Sequence, residues 1–188
     1  MEELETLVLD ELKENMEKII HAFEKSLQKV RTGRASPSLL DGIRVEYYGV
    51  PTPLNQLATI SVPESRLIVI APWDASAMGG IERAILKSDL GLTPMNDGKV
   101  IRIAIPPLTE QRRRELVKAV KKMAEECKIK LRNARRDANE QLKSLKKDNQ
   151  ISEDDLYADQ QNVQAMTDSY IAQTGTILAA KEREIMEI

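Results

Sequence analysis

The sequence predicts an α+β protein in which a long three-helix bundle, discontinuous along the chain, carries an inserted small β/α/β domain. Three observations predict it. Long stretches near both ends repeat apolar residues at steps of three and four. A middle stretch is built instead of short β-branched runs separated by Gly, Pro and Asn-Asp-Gly. Charged residues make up 31% of the 188 residues and aromatics only 3%, the composition of long helices.

The first helix is expected over residues 3–30, where Leu12, Met16, Ile19, Ile20, Phe23, Leu27 and Val30 make one apolar face. The second runs from about Thr109 to Asp148. Its apolar series is Leu116, Val120, Met123, Cys127, Leu131, Ala134, Ala138, Leu142 and Leu145, with no Pro or Gly to interrupt it. A helix of about 40 residues is about 60 Å long. Ser152, followed by Glu153, Asp154 and Asp155, then reads as an N-cap with acid in the first turn. The third helix carries Leu156, Val163, Tyr170 and Ile177 every seven residues, broadened by Met166, Leu178 and Ile185. Such helices bury their apolar faces by packing together.

Between the first two helices, "IRVEYYG", "LATISV", "RLIVIAPW" and "KVIRIAIP" read as strands. One short helix fits among them, capped by Asp74 and using Ile81, Ala84, Ile85 and Leu86. Gly79 and Gly80 stand where that helix should start. The bundle domain is thus residues 1–30 and 106–188, and the insert is 31–105, with linkers near 31–36 and 104–109. "RTGRASP" admits three local readings: a helix stop, an anion-binding loop and one strand of a joint. The chain leaves the bundle here and returns at "IPPLTE", which favours the joint. Its residues are Arg31, Thr32, Gly33, Arg34, Ala35, Ser36, Ile105, Pro106 and Pro107.

Several function classes lack raw material. One Cys and one His leave no disulfide framework, no multi-cysteine zinc site and no His-based triad. His21, next to apolar positions, reads as a packed or surface residue, and Cys127, on the apolar stripe, as a small core residue. Asp154 and Asp155 are explained by the cap, and Trp73 by core or edge packing. No Walker motif is present. No catalytic residue, metal or cofactor is expected. No run approaches the roughly 18 apolar residues of a membrane span, and the acidic N-terminal stretch lacks signal-peptide design. A cytoplasmic protein is expected.

The net charge of −2 hides an asymmetry. Residues 1–30 carry −4, 31–105 carry +1, 106–150 carry +7 and 151–188 carry −6. On a helical wheel of the second helix, Arg114, Lys121, Lys128, Arg132, Arg135, Arg136, Asn139, Lys143 and Lys146 gather within about 60° of one line. Glu125 interrupts them. An ordinary solvated face would alternate signs in i,i+4 pairs; this clustering and the Arg-rich "RNARR" point to nucleic acid, since the guanidinium fork matches phosphate. Scarce aromatics favour structured RNA read by shape and phosphate over a stacking platform. The alternative is a helical coiled-coil-type protein-interaction module.

"RTGRASPSLLDGIRVEYYGVPTPLNQLA", "SDLGLTP", "IPPLTEQRRREL", "RNARRDAN" and "ISEDD" closely resemble the bacterial ribosome recycling factor family, in order and over essentially the full length. The resemblance implies an L-shaped, two-domain monomer that is not an enzyme. It implies a factor that dissociates the post-termination ribosome together with elongation factor G and GTP. It places the bundle on large-subunit ribosomal RNA through Arg132, Arg135 and Arg136, Arg135 foremost, with Lys128, Asn139, Lys121 and Lys143 on the same stripe. The small domain is expected to meet elongation factor G and to swing about the linkers.

Overall fold

The computed structural model describes residues 2–187, with side-chain surroundings given for residues 3–187. Among the described residues four α-helices form: α1 (Glu2–Gln28), α2 (Met78–Lys87), α3 (Glu110–Lys147) and α4 (Glu153–Met186). Six strands lie between α1 and α3: β1 (Arg44–Tyr47), β2 (Val50–Pro53), β3 (Ala58–Glu64), β4 (Leu67–Pro72), β5 (Pro94–Asn96) and β6 (Ile101–Ala104). The chain divides into two compact units, Met1–Arg31 with Glu110–Ile188, and Thr32–Thr109.

In the helical unit α1, α3 and α4 pack pairwise against one another. From α3 the buried residues are Leu116, Val120, Ala124, Cys127, Leu131, Ala134, Ala138 and Leu142. Ala124 takes a place in this face, while Met123 and Leu145 lie half-buried at its margins. Small residues there let the helices approach closely. From α1 come Val8, Leu12, Met16, Ile20, Phe23 and Leu27, with Ile19 at the edge; Val30, expected in the helix, lies just past its end and is half-buried. The α3–α4 turn places Asn149 in the left-handed region (φ 57°). Ser152 then caps α4 with a full capping box: its hydroxyl accepts from the Asp155 backbone N–H, and the Asp155 carboxylate accepts from the Ser152 backbone N–H.

The core face of α4 departs from the apolar heptad. Its buried residues are Asp159, Val163, Thr167, Thr174 and Ile185, whereas Leu156, Tyr170 and Ile177 are only half-buried. Threonine serves here because its hydroxyl is satisfied within the helix. Thr167 Oγ1 donates to Val163 O at 2.7 Å and Thr174 Oγ1 to Tyr170 O at 3.0 Å. Each then presents a compact, β-branched body to the core.

In the small unit β3, β4, β6 and β5, in that order, form an antiparallel sheet, and β1 with β2 forms a separate hairpin. The strands β2 and β5 carry Pro51, Pro53 and Pro94, and their prolines obscure them in sequence. Both are outer strands, where a missing N–H breaks no central ladder. The core gathers Val45, Leu54, Ile68, Ile70, Ile81, Ile85, Ile101 and Ile103. Asp74 caps a short 3-10 turn (Ala75–Ala77) that leads directly into α2. Leu86 is exposed, not part of the buried face, because the core face of α2 runs through Met78, Ile81 and Ile85. Gly80 explains the glycine at the helix start: a Cβ there would lie 3.2 Å from Val45 Cγ1 and 3.4 Å from the Glu46 carbonyl oxygen. Its absence lets α2 close onto β1. Trp73 is largely exposed and donates from Nε1 to Thr59 Oγ1 at 2.9 Å.

Asp159 is 8% exposed, and its Oδ2 has no hydrogen-bond partner. Burial pushes its pKa up, with a bond to Asn162 opposing and the Asp155 charge adding. A carboxyl whose folded pKa lies above its unfolded value stabilises fully below the unfolded value of about 3.9, and that contribution is lost as pH rises through the folded value. Asp159→Asn is therefore expected to raise the urea midpoint at pH 7, with the gain over wild type shrinking toward pH 4.

Candidate nucleic-acid interface

The cationic stripe lies along one flank of α3, on the side that meets α4. Lys128, Arg132, Arg135, Asn139 and Lys146 are half-buried, while Arg114, Lys121, Arg136 and Lys143 are exposed. The stripe therefore begins at the edge of the packed core, closer to it than the wheel alone indicates.

Local partners orient much of it. Arg135 Nη1 donates to Gln164 Oε1 of α4 at 3.2 Å, and Gln164 Nε2 donates to Asp168 Oδ1 at 2.8 Å. Gln164 thus has its carbonyl turned toward the guanidinium and its amide turned toward the carboxylate. Arg132 pairs with Glu125 at 3.1 Å, Lys143 with Glu140 at 3.3 Å, and Lys121 with Glu182 of α4 at 3.6 Å. The Arg132–Glu125 and Lys143–Glu140 pairs are largely solvated and such bridges contribute about 0–1 kcal/mol, whereas the Glu182 oxygen that meets Lys121 is shielded from solvent. Arg136 is exposed and makes no ion pair among the described residues. The Oδ1 of Asn139 is shielded from solvent without a partner. Gln164, Asp168 and Glu182 escape a reading of α3 alone, because they come from a different helix; only the antiparallel pairing of α3 with α4 reveals them.

The other sequence candidates do not assemble an active site. His21 is exposed. Cys127 is buried, its Sγ 3.6 Å from Thr174 Oγ1, and burial pushes the thiol pKa up, away from a reactive thiolate. Among the described residues no group of three or more His, Cys, Asp or Glu is placed to hold a metal. Nor is any helix long and apolar enough to cross a membrane.

The two joint strands run side by side within the small unit. Gly33 has φ +75°, and a Cβ there would meet Leu108 Cγ at 2.9 Å. Ala35 N–H donates to Ser65 O at 2.7 Å, and Ile105 N–H donates to Arg66 O at 2.8 Å. Ala35 and Ile105 are therefore anchored on neighbouring residues of the β3–β4 turn. Thr32 is buried, Gly33 and Ser36 are half-buried, and Arg31, Arg34, Pro106 and Pro107 are exposed.

Comparison with known proteins decides the family. The family model for Ribosome recycling factor matches residues 23–186. The chain belongs to the ribosome recycling factor family. The ribosome-recycling factor of Syntrophus aciditrophicus (strain SB) is 69% identical over 98% of this chain and 100% of its own length. A solution structure of the ribosome recycling factor superposes with a TM-score of 0.76 at 42% identity, covering all of both chains. A second solved chain matches with a TM-score of 0.64 at 44% identity, over 96% of this chain and 98% of its own. It comes from models for the T. thermophilus ribosome recycling factor and the E. coli elongation factor G bound to the E. coli post-termination complex. Membership places the chain among translation factors that are not enzymes.

Adding a methyl at Gly33 forces a left-handed L-residue against Leu108. Gly33→Ala is expected to lower stability by about 1–3 kcal/mol, read as a lower urea midpoint whose loss Leu108→Ala partly restores.

Proposed function

We propose that this chain dissociates the post-termination ribosome together with elongation factor G and GTP, binding large-subunit ribosomal RNA through the cationic flank of α3. Family membership supports the ribosome as target, as does the likeness to the recycling factor in the post-termination assembly. The observation that carries the RNA contact is the stripe itself. Lys121, Lys128, Arg132, Arg135, Arg136 and Lys143 follow one side of a single uninterrupted helix. A row of cations on a straight rod fits the regular phosphates of structured RNA. Arg135 leads, because the Gln164–Asp168 relay holds its fork at the α3–α4 edge.

The factor acts as a monomer and supplies no chemistry. GTP hydrolysis on elongation factor G drives the splitting. The joint at Arg31–Ser36 and Ile105–Pro107 lets the small unit move relative to the bundle. Because Ala35 and Ile105 are tied into the small unit, the motion is concentrated at the bundle ends of the two strands, near Arg31 and Thr109.

Arg135→Ala is expected to fold normally and to bind 50S subunits more weakly by about 1–3 kcal/mol. The slope of log affinity against log salt should fall by about one. Co-sedimentation at two salt concentrations measures both, and unchanged affinity at moderate salt would remove the stripe from the interface. A chain that self-associates or captures another coiled coil while ignoring ribosomes would overturn the functional assignment.

A further inference from the structure

Arg135 differs from the other cations of the α3 flank in what holds it. Arg132 and Lys143 are tied to carboxylates of their own helix, Glu125 and Glu140, and Lys121 is tied to Glu182 of α4. Those partners orient a cation and offset its charge at the same time. Arg136 keeps its charge, and no ion pair among the described residues orients it. Arg135 is half-buried and makes its bond to an uncharged oxygen, Gln164 Oε1, at 3.2 Å.

The carboxylate stands one residue further back. Asp168 lies one helical turn beyond Gln164, and its Oδ1 accepts from Gln164 Nε2 at 2.8 Å. A glutamine amide has one orientation that serves both neighbours, carbonyl toward the guanidinium and amino group toward the carboxylate. Asp168 therefore fixes the amide, and it polarises the amide oxygen as an acceptor. The negative charge itself is kept an amide's length away from Arg135, and Coulomb attraction weakens with distance. A guanidinium has more donors than one amide oxygen can take. The rest of the Arg135 fork makes no hydrogen bond among the described residues, which suits a forked contact with phosphate.

We infer that Gln164 is a positioning residue for the RNA contact of Arg135, aiming the guanidinium through a neutral oxygen so that its charge is left for phosphate. The inference rests on the reading of the α3 flank as an RNA interface and adds a residue of α4 to it. A glutamate at the same place would hold the same geometry and compete with the phosphate; the amide holds it without competing.

The test moves the charge and keeps the bonds. Gln164→Glu combined with Asp168→Asn leaves the net charge unchanged and avoids two carboxylates at i,i+4. The new amide can still donate to the new carboxylate, which now faces Arg135 directly. In co-sedimentation of the full chain with 50S subunits, this variant should bind about ten-fold more weakly, with a salt slope lower by about one. Gln164→Ala should bind about three-fold more weakly, because the fork is no longer aimed. Neither change should weaken binding further in an Arg135→Ala background. A Gln164 that served only the fold would leave the charge-moved variant silent, since that variant ties the helices together as firmly. Unchanged affinity in either Gln164 variant would overturn the inference, as would a loss that persists without Arg135. Wild-type affinity in Arg135→Ala alone would instead remove the flank from the interface, and this inference would fall with it.

Discussion

Everything in the helical unit depends on the burial of one side of α3. Leu116, Val120, Cys127, Leu131, Ala138 and Leu142 keep a single face along most of the 38-residue helix, and both α1 and α4 pack against α3. Within the helical unit α4 packs on α3 and α1, and its own face is polar. Asp159, Thr167 and Thr174 are buried on that face, Thr174 against Cys127 of α3. The same helix carries the cations on its flank, so core and candidate interface are two sides of one element. A change that rotated α3 to improve one would displace the other.

The fold was legible where a physical period ran without interruption. The apolar repeats of α1 and α3, the Ser152 cap and the β-branched runs of β3, β4 and β6 all stand in the structure. Legibility failed where a residue's usual meaning was overridden by context. Thr167 and Thr174 add nothing to an apolar repeat, and they fit the core because their hydroxyls bond to their own helix. Pro51, Pro53 and Pro94 read as breaks until their strands prove to be outer ones. Gly80 looked like a poor helix residue and is instead the point where helix meets strand.

The candidate site was half visible for a related reason. A wheel places charges on α3 but says nothing about α4, and Gln164, Asp168 and Glu182 are what hold Arg135 and Lys121.

The unbroken course of α3 has a consequence for how binding energy is spent. A flexible basic tail must be ordered as it binds, at a cost of about 1–2 kcal/mol for each residue fixed. The cations from Lys121 to Lys143 ride on a helix with no Pro or Gly, already supported by two neighbours. Their spacing along about 33 Å of axis is set before any partner arrives. Were phosphates to bind along the proposed face, little backbone entropy would remain to be lost, and the cost of ordering would fall on the Lys and Arg side chains. A rod with fixed spacing would also suit only polyanions of matching curvature, so stiffness as well as charge would set what the proposed face accepts.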